Sequence, residues 1–215
     1  MKTNECPVGA RVISEECLHQ GFLGLSRVTI EQPRFDGGRQ TVIREVVKRR
    51  PVVVVHTFDP AKQLVLLARQ FRPGAFLVGD QRPFLWEAPA GLMDEGELPL
   101  QAAARELFEE TGLQAKSLEL ALTVYSSPGA CTEMIHHLIA IVDLDEGRCW
   151  RGGVPEEHED IELATVTLDD AVSMLRNGEI RSEHTAVGLL YLISKRASAL
   201  GEGMSSEGFG SNRQD

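Results

Sequence analysis

The segment from Gly91 to Leu113 constrains this chain more than any other. Residues 98–111 carry a helical pattern in which Leu100, Ala103, Ala104 and Leu107 form an apolar stripe, and Gly112 stands where a glycine ends a helix. At about 100° per residue, Glu106, Glu109 and Glu110 fall within about a 100° arc of one face. The predicted helix therefore buries one face and presents three carboxylates beside it. Like charges at these spacings cost roughly 0.2–0.5 kcal/mol per pair, so something positive must offset them. Arg105, four residues before Glu109, supplies one positive charge. A hard divalent cation would supply more, because Mg²⁺ prefers carboxylate oxygens and bridges them to phosphates.

The charge distribution supports that reading. The formal net charge is −10; residues 91–113 contribute −5 and residues 155–160, with Glu156, Glu157, Glu159 and Asp160, contribute −4. Acid packed into two short stretches points to cations, and it argues against duplex nucleic acid, which needs a basic face. The longest apolar run is short, around Val52–Val55, so no membrane span is expected. The first residues lack an apolar signal segment, so a cytoplasmic protein is expected. Cysteines at 6, 17, 131 and 149 form no C-x-x-C pair and read as reduced thiols.

The remaining elements predict a mixed α/β layered domain. Residues 10–50 read as extended segments, with a turn at Asp36-Gly37-Gly38 and apolar alternation over Thr41–Val47. Strands are expected over Pro51–Phe58, Gln63–Ala68, 117–126, 133–143 and Ile161–Val166. A helix should open at Thr167 and stop near Gly178, and another should run from Ser182 to about Ala199. His136 and His137 should face opposite sides of their strand, and Trp86 reads as packing. The predicted organisation is a β segment over 1–50, a main domain over 51–199 and a disordered polar tail over 200–215.

The pattern Gly91-x5-Glu97-x7-Arg105-Glu106-Leu107-x-Glu109-Glu110-x-Gly112-Leu113 resembles the Nudix box of the Nudix hydrolases, with no departure at any signature position. The resemblance implies an α/β/α sandwich with a mixed sheet, plus a small N-terminal antiparallel β extension. It also implies hydrolysis of nucleoside diphosphates linked to a further moiety, with Mg²⁺ or Mn²⁺. Trp86-Glu-Ala-Pro-Ala-Gly91, Pro128 fifteen residues past Leu113, and the acidic loop 152–161 are similar to the ADP-ribose and nucleotide-sugar pyrophosphatases. Gln20–Phe22 through Arg44-Glu45 resembles that subgroup's dimer-forming sheet, so a homodimer is expected. The implied substrate is ADP-ribose, cut to AMP and ribose 5-phosphate, with GDP-mannose or UDP-glucose as the alternative. A non-catalytic ADP-ribose-sensing module is the alternative of another class; such modules usually lose box glutamates that this chain retains.

The resemblance also implies roles. Glu106, Glu110 and the Ala90 carbonyl would hold metal, Glu109 would ligate or support, and Glu159 would complete a cluster of more than one ion. Arg105 would orient Glu109. Glu157 would be the general base, with Glu156 its nearest rival. Arg72 would fork onto the diphosphate, Glu133 would meet the terminal ribose, and Phe22 and Arg44 would stack on the nucleobase. Residue type alone leaves plainer alternatives: a surface ion pair at Arg72, a surface acid at Glu133, sheet packing for Phe22 and Arg44, and a solvated turn at 156–160.

Overall fold

The structure, a computed structural model, describes residues 9–154 and 158–206. The chain divides into two units, one holding residues up to Val52 with Thr123–Ile135 and the other Val53–Leu122 with residues from His136 onward.

The first unit is built on three antiparallel strands, β1 (Arg11–Gln20), β2 (Gly24–Pro33) and β3 (Arg39–Lys48), in that order. The β2–β3 turn closes with Arg34 N–H donating to the Gly38 carbonyl at 2.8 Å, and Gly37 takes the left-handed conformation that the turn requires (φ 85°). Cross-strand charge pairs fix the register: Arg27 bonds Glu16 on β1 and Glu45 on β3, and Glu31 accepts from Arg11 and Arg39. Val12, Ile13, Phe35 and Ile43 nevertheless remain more than half exposed.

The second unit carries the core. It holds β5 (Leu64–Phe71), β6 (Phe84–Glu87), β7 (Ala90–Leu92), β10 (Cys149–Gly152) and β11 (Ile161–Thr167), and all but the unit-boundary residues of β4 (Val52–Phe58), β8 (Ser117–Tyr125) and β9 (Met134–Ile141). They form sheets ordered β10-β11-β5-β6 and β7-β4-β9-β8. Alternation along the strands splits the core into two clusters. Leu64, Leu66, Ala68, Leu138 and Ala140 face α2 (Pro99–Thr111), whereas Val65, Leu67 and Ile139 face α3 (Leu168–Arg176) and α4 (Glu183–Ser206). Helices therefore cover both sides of the strands, which is the α/β/α sandwich that the sequence implies.

Several local expectations differ from the structure. The buried face of α2 is Ala102, Ala103, Leu107, Glu110 and Thr111, while Leu100 and Ala104 are exposed. The stripe is thus rotated toward the carboxylates, and Glu110 lies on it rather than beside it. A short helix, α1 (Pro73–Leu77), and the strands β6, β7 and β10 occupy stretches read as loop or left unassigned. The last helix passes Ala199 and ends at Ser206, inside the predicted tail. Residues 207–215, the remainder of that tail, lie outside the described residues. As predicted, Gly112 caps α2 in the left-handed conformation (φ 71°), and Thr167 caps α3 by accepting from Asp170 N–H. Among the described residues no helix is long and apolar enough to cross a membrane.

Candidate active site

The site is assembled where β7 runs beside α2. Gly91 lies under the Glu106 carboxylate; a Cβ there would stand 1.9 Å from Glu106 Cδ and 2.1 Å from each oxygen. No side chain larger than hydrogen can occupy that position without displacing the carboxylate. Next to it, Ala90 N–H donates to Glu110 Oε2 at 3.2 Å. The backbone of β7 and the side chains of α2 are thus locked together at consecutive residues.

Arg105 organises the acidic side of the helix. Its Nε and Nη2 fork onto the two oxygens of Glu97 at 3.0 and 2.9 Å, and Nη2 also reaches the Leu92 carbonyl at 3.1 Å. Its Nη1 reaches Glu106 at 2.8 Å and Glu109 at 3.0 Å. One planar guanidinium therefore orients three carboxylates, as a lysine could not. The i,i+4 pairing with Glu109 is the one that spacing predicted; the fork onto Glu97 is not. Glu97 also accepts from Asp94 N–H at 2.9 Å, which closes the turn before α2.

The electrostatics differ from carboxylate to carboxylate. Hydrogen bonding from Arg105 holds Glu97 below the usual carboxylate range. Burial raises Glu106, with Arg105 opposing, and the charges of Glu109 and Glu159 raise it further. Glu110, only 2 % exposed, is pushed well above 4.5 by burial, then by Glu159 and Glu106. Ala90 N–H and Arg72 pull it back but do not cancel the rise. Two carboxylates held together at this cost want positive charge nearby.

The later acidic loop is tied to the end of the same helix. Gly153 N–H donates to the Glu110 carbonyl at 3.0 Å, and at Gly152 a Cβ would lie 1.9 Å from that oxygen. Trp150 Nε1 donates to the Thr111 carbonyl at 3.1 Å. Beyond them, Val154 N–H donates to Glu159 Oε2 at 3.1 Å and Glu159 N–H returns to the Val154 carbonyl at 3.3 Å. Glu159 is thereby fixed close enough to raise both Glu106 and Glu110. Glu156 and Glu157 lie outside the described residues.

Arg72, at the end of β5, is held by its Nε on Glu87, a buried acid of the lead-in that the sequence reading did not single out. The backbone of Arg72 is fixed as well: its N–H donates to the Pro83 carbonyl at 2.9 Å and its carbonyl accepts from Phe76 N–H at 3.1 Å.

The remaining candidates belong to the first unit. Glu133 is 4 % exposed and lies 2.7 Å from Arg49 Nη1, so it is not a surface acid. That contact is an ion pair, and among the described residues Glu133 Oε1 accepts no hydrogen bond. Phe22 is 83 % exposed at the β1–β2 turn, Arg44 is exposed on β3 with Nη1 on the Ile43 carbonyl at 2.8 Å, and Pro128 is exposed in the loop after β8. In the second unit, Trp86 packs in the cluster facing α3 and α4, with the Arg69 guanidinium 5.5 Å from its ring. His137 is buried and His136 half-buried.

Among the described residues no group of three or more His, Cys, Asp and Glu side chains is drawn together closely enough to enclose an ion. The fit of a cation rests on the donor chemistry. Glu106 and Glu110 are shielded carboxylates of raised proton affinity, Glu106 seated against Gly91 and Glu110 against the Ala90 N–H. Oxygen donors of this kind suit a hard divalent cation.

The NUDIX domain family matches residues 47–186. An ADP-ribose pyrophosphatase of Haemophilus influenzae is 33 % identical over 184 residues, covering 84 % of each chain. A GDP-mannose pyrophosphatase of Cronobacter sakazakii is 34 % identical over 185 residues, covering 86 % of this chain and 95 % of that one. A crystal structure of an ADP compounds hydrolase superposes with a TM-score of 0.68 at 19 % identity, over 93 % of this chain and 99 % of that one. With Gly91, Arg105 and the glutamates of α2 meeting as the signature requires, the chain belongs to the NUDIX domain family of hydrolases.

Proposed function

We propose that the chain hydrolyses the diphosphate bond of ADP-ribose to AMP and ribose 5-phosphate, with Mg²⁺ as its cation and Mn²⁺ able to replace it. One observation carries the reading: half-buried Glu106 and buried Glu110 are held on one helix against β7, Glu106 over Gly91 and Glu110 accepting from Ala90 N–H. The kinship with the Haemophilus influenzae ADP-ribose pyrophosphatase supports the choice of substrate.

In this reading Glu106, Glu110 and the Ala90 carbonyl hold the cation, with Glu159 completing the set. When bound, the cation neutralises diphosphate oxygens and makes the linkage open to attack. Arg105 keeps Glu106 and Glu109 in position. Arg72, oriented by Glu87, forks onto the diphosphate. Glu157 takes the proton of the attacking water, with Glu156 as its rival. Water adds across the P–O–P linkage, so one P–O bond forms as another breaks. Glu133, Phe22, Arg44 and Pro128 are assigned to the sugar and base ends of the substrate.

The second reading is a nucleotide-sugar pyrophosphatase, favoured by similar identity to the GDP-mannose pyrophosphatase. A panel of ADP-ribose, GDP-mannose and UDP-glucose compared by kcat/KM decides between the two. ADP-ribose should lead the panel; a higher kcat/KM for GDP-mannose would transfer the assignment.

A homodimer through β1–β3 accompanies the proposal, because Val12, Ile13, Phe35 and Ile43 leave apolar surface on that sheet. Sedimentation at micromolar concentration should give twice the chain mass, and a monomer would refute it.

A further inference from the structure

The lead-in to the signature is fixed at successive backbone groups. Ala88 N–H donates to Thr185 Oγ1 at 2.9 Å, the Pro89 carbonyl accepts from Val55 N–H at 2.8 Å, and Ala90 N–H donates to Glu110 Oε2 at 3.2 Å. Two of these anchors lie on β4 (Val55) and α2 (Glu110). Thr185 lies on α4, far along the chain from the signature, and is 1 % exposed.

α4 itself is held in place at this point. Gly188 faces the ring of His56 so closely that a Cβ would stand 2.0 Å from Cε1. His56 in turn has Nε2 3.0 Å from Nδ1 of His137. α4 and β4 thus pack in close approach at Gly188 and His56, one turn along the helix from the Thr185 hydroxyl. Ala88 is 6 % exposed, so no water readily replaces that hydroxyl as acceptor for its N–H.

We propose that Thr185 is a positioning residue for the cation site: by holding Ala88 N–H it sets the course of the backbone that reaches Ala90 two residues later. This rests on reading Ala90, Glu106 and Glu110 as cation ligands. The competing role for Thr185 is packing alone.

Thr185→Val keeps the shape and removes the acceptor, and Thr185→Ser keeps the acceptor with less bulk. Mn²⁺ binding to nucleotide-free protein, followed by electron paramagnetic resonance, should weaken about tenfold in Thr185→Val, as supporting partners of metal ligands do. For ADP-ribose, kcat should fall by about the same factor with KM little changed, and Thr185→Ser should restore both. Wild-type Mn²⁺ affinity in Thr185→Val, or equal impairment in both variants, would overturn the proposal. Hydrogen exchange at the Ala88 amide in metal-free protein reports the contact by itself and should quicken in Thr185→Val; unchanged exchange would also overturn it. If the wild type bound no Mn²⁺ while that exchange still responded, the cation reading would be the part that failed, and the role of Thr185 with it. Should Thr185→Val not fold, Thr185→Ala is measured in its place against Thr185→Ser.

Discussion

Gly91 and Glu106 occupy one space: the position of a Cβ on the glycine is 1.9 Å from the carboxyl carbon of the glutamate. The glycine is needed here for close approach rather than for an unusual backbone angle. Gly91→Ala should therefore displace Glu106 and lower kcat by about a hundredfold, the scale expected when one precisely placed catalytic group is misplaced. Circular dichroism should still show a folded protein. Wild-type turnover in Gly91→Ala would mean that Glu106 acts from another position.

Arg105 bonds three carboxylates and a carbonyl through a planar fork. Arg105→Lys keeps the charge but loses the two-pronged contact with Glu97. Urea unfolding should show a loss of about 2 kcal/mol, and kcat should fall about tenfold or more as Glu106 and Glu109 lose their orientation. A variant of unchanged stability would show the network to be dispensable.

The buried pair His56 and His137 predicts acid sensitivity. Burial, with neighbouring histidines adding, lowers His56 from 6.5 to about 3 and His137 to about 4. Both are neutral in the folded protein and take up protons on unfolding below pH 6.5. The unfolded state then binds more protons, so stability is full above pH 6.5 and is lost as pH falls toward the folded values. Between pH 6.5 and 5 the loss should be about 1.6 kcal/mol per histidine. Thermal melts of wild type and His56→Gln over this range provide the check, and the variant should show the shallower dependence.

Burial and mutual repulsion of Glu106 and Glu110 predict stabilisation by a cation. Mg²⁺ at a hundred times its dissociation constant should add about 2.7 kcal/mol to folding, and chelator should remove it. Glu110→Gln should melt higher than wild type without Mg²⁺ and gain less from it. Equal Mg²⁺ shifts in the two proteins would place the cation elsewhere.

Much of this site was legible in the sequence where the chemistry is local. The end of α2 at Gly112, the Arg105–Glu109 pair and the Thr167 cap each depend on residues within one helical turn. The burial of Glu110 was not legible, because its compensation comes from Ala90 N–H and Arg72, well back in the chain. Apolarity alone put Leu100 and Ala104 on the buried face, where packing chose Ala102 and Thr111. The strands β6, β7 and β10 span only three or four residues, too short for alternation to mark them. A surface acid stayed open as the plainer alternative at Glu133 because Arg49, its partner, is 84 residues away in the chain and meets it only through the fold.

The most direct test follows the release of AMP from ADP-ribose by wild type and Glu106→Gln, across a Mg²⁺ titration. The wild type should turn over only with Mg²⁺ present, and Glu106→Gln should lose about a hundredfold or more in kcat that added Mg²⁺ does not recover. Turnover of Glu106→Gln within threefold of wild type, at the same Mg²⁺ dependence, would contradict the assignment of the α2 carboxylates to the cation (roughly 0.6 kcal/mol, too small for a lost ligand).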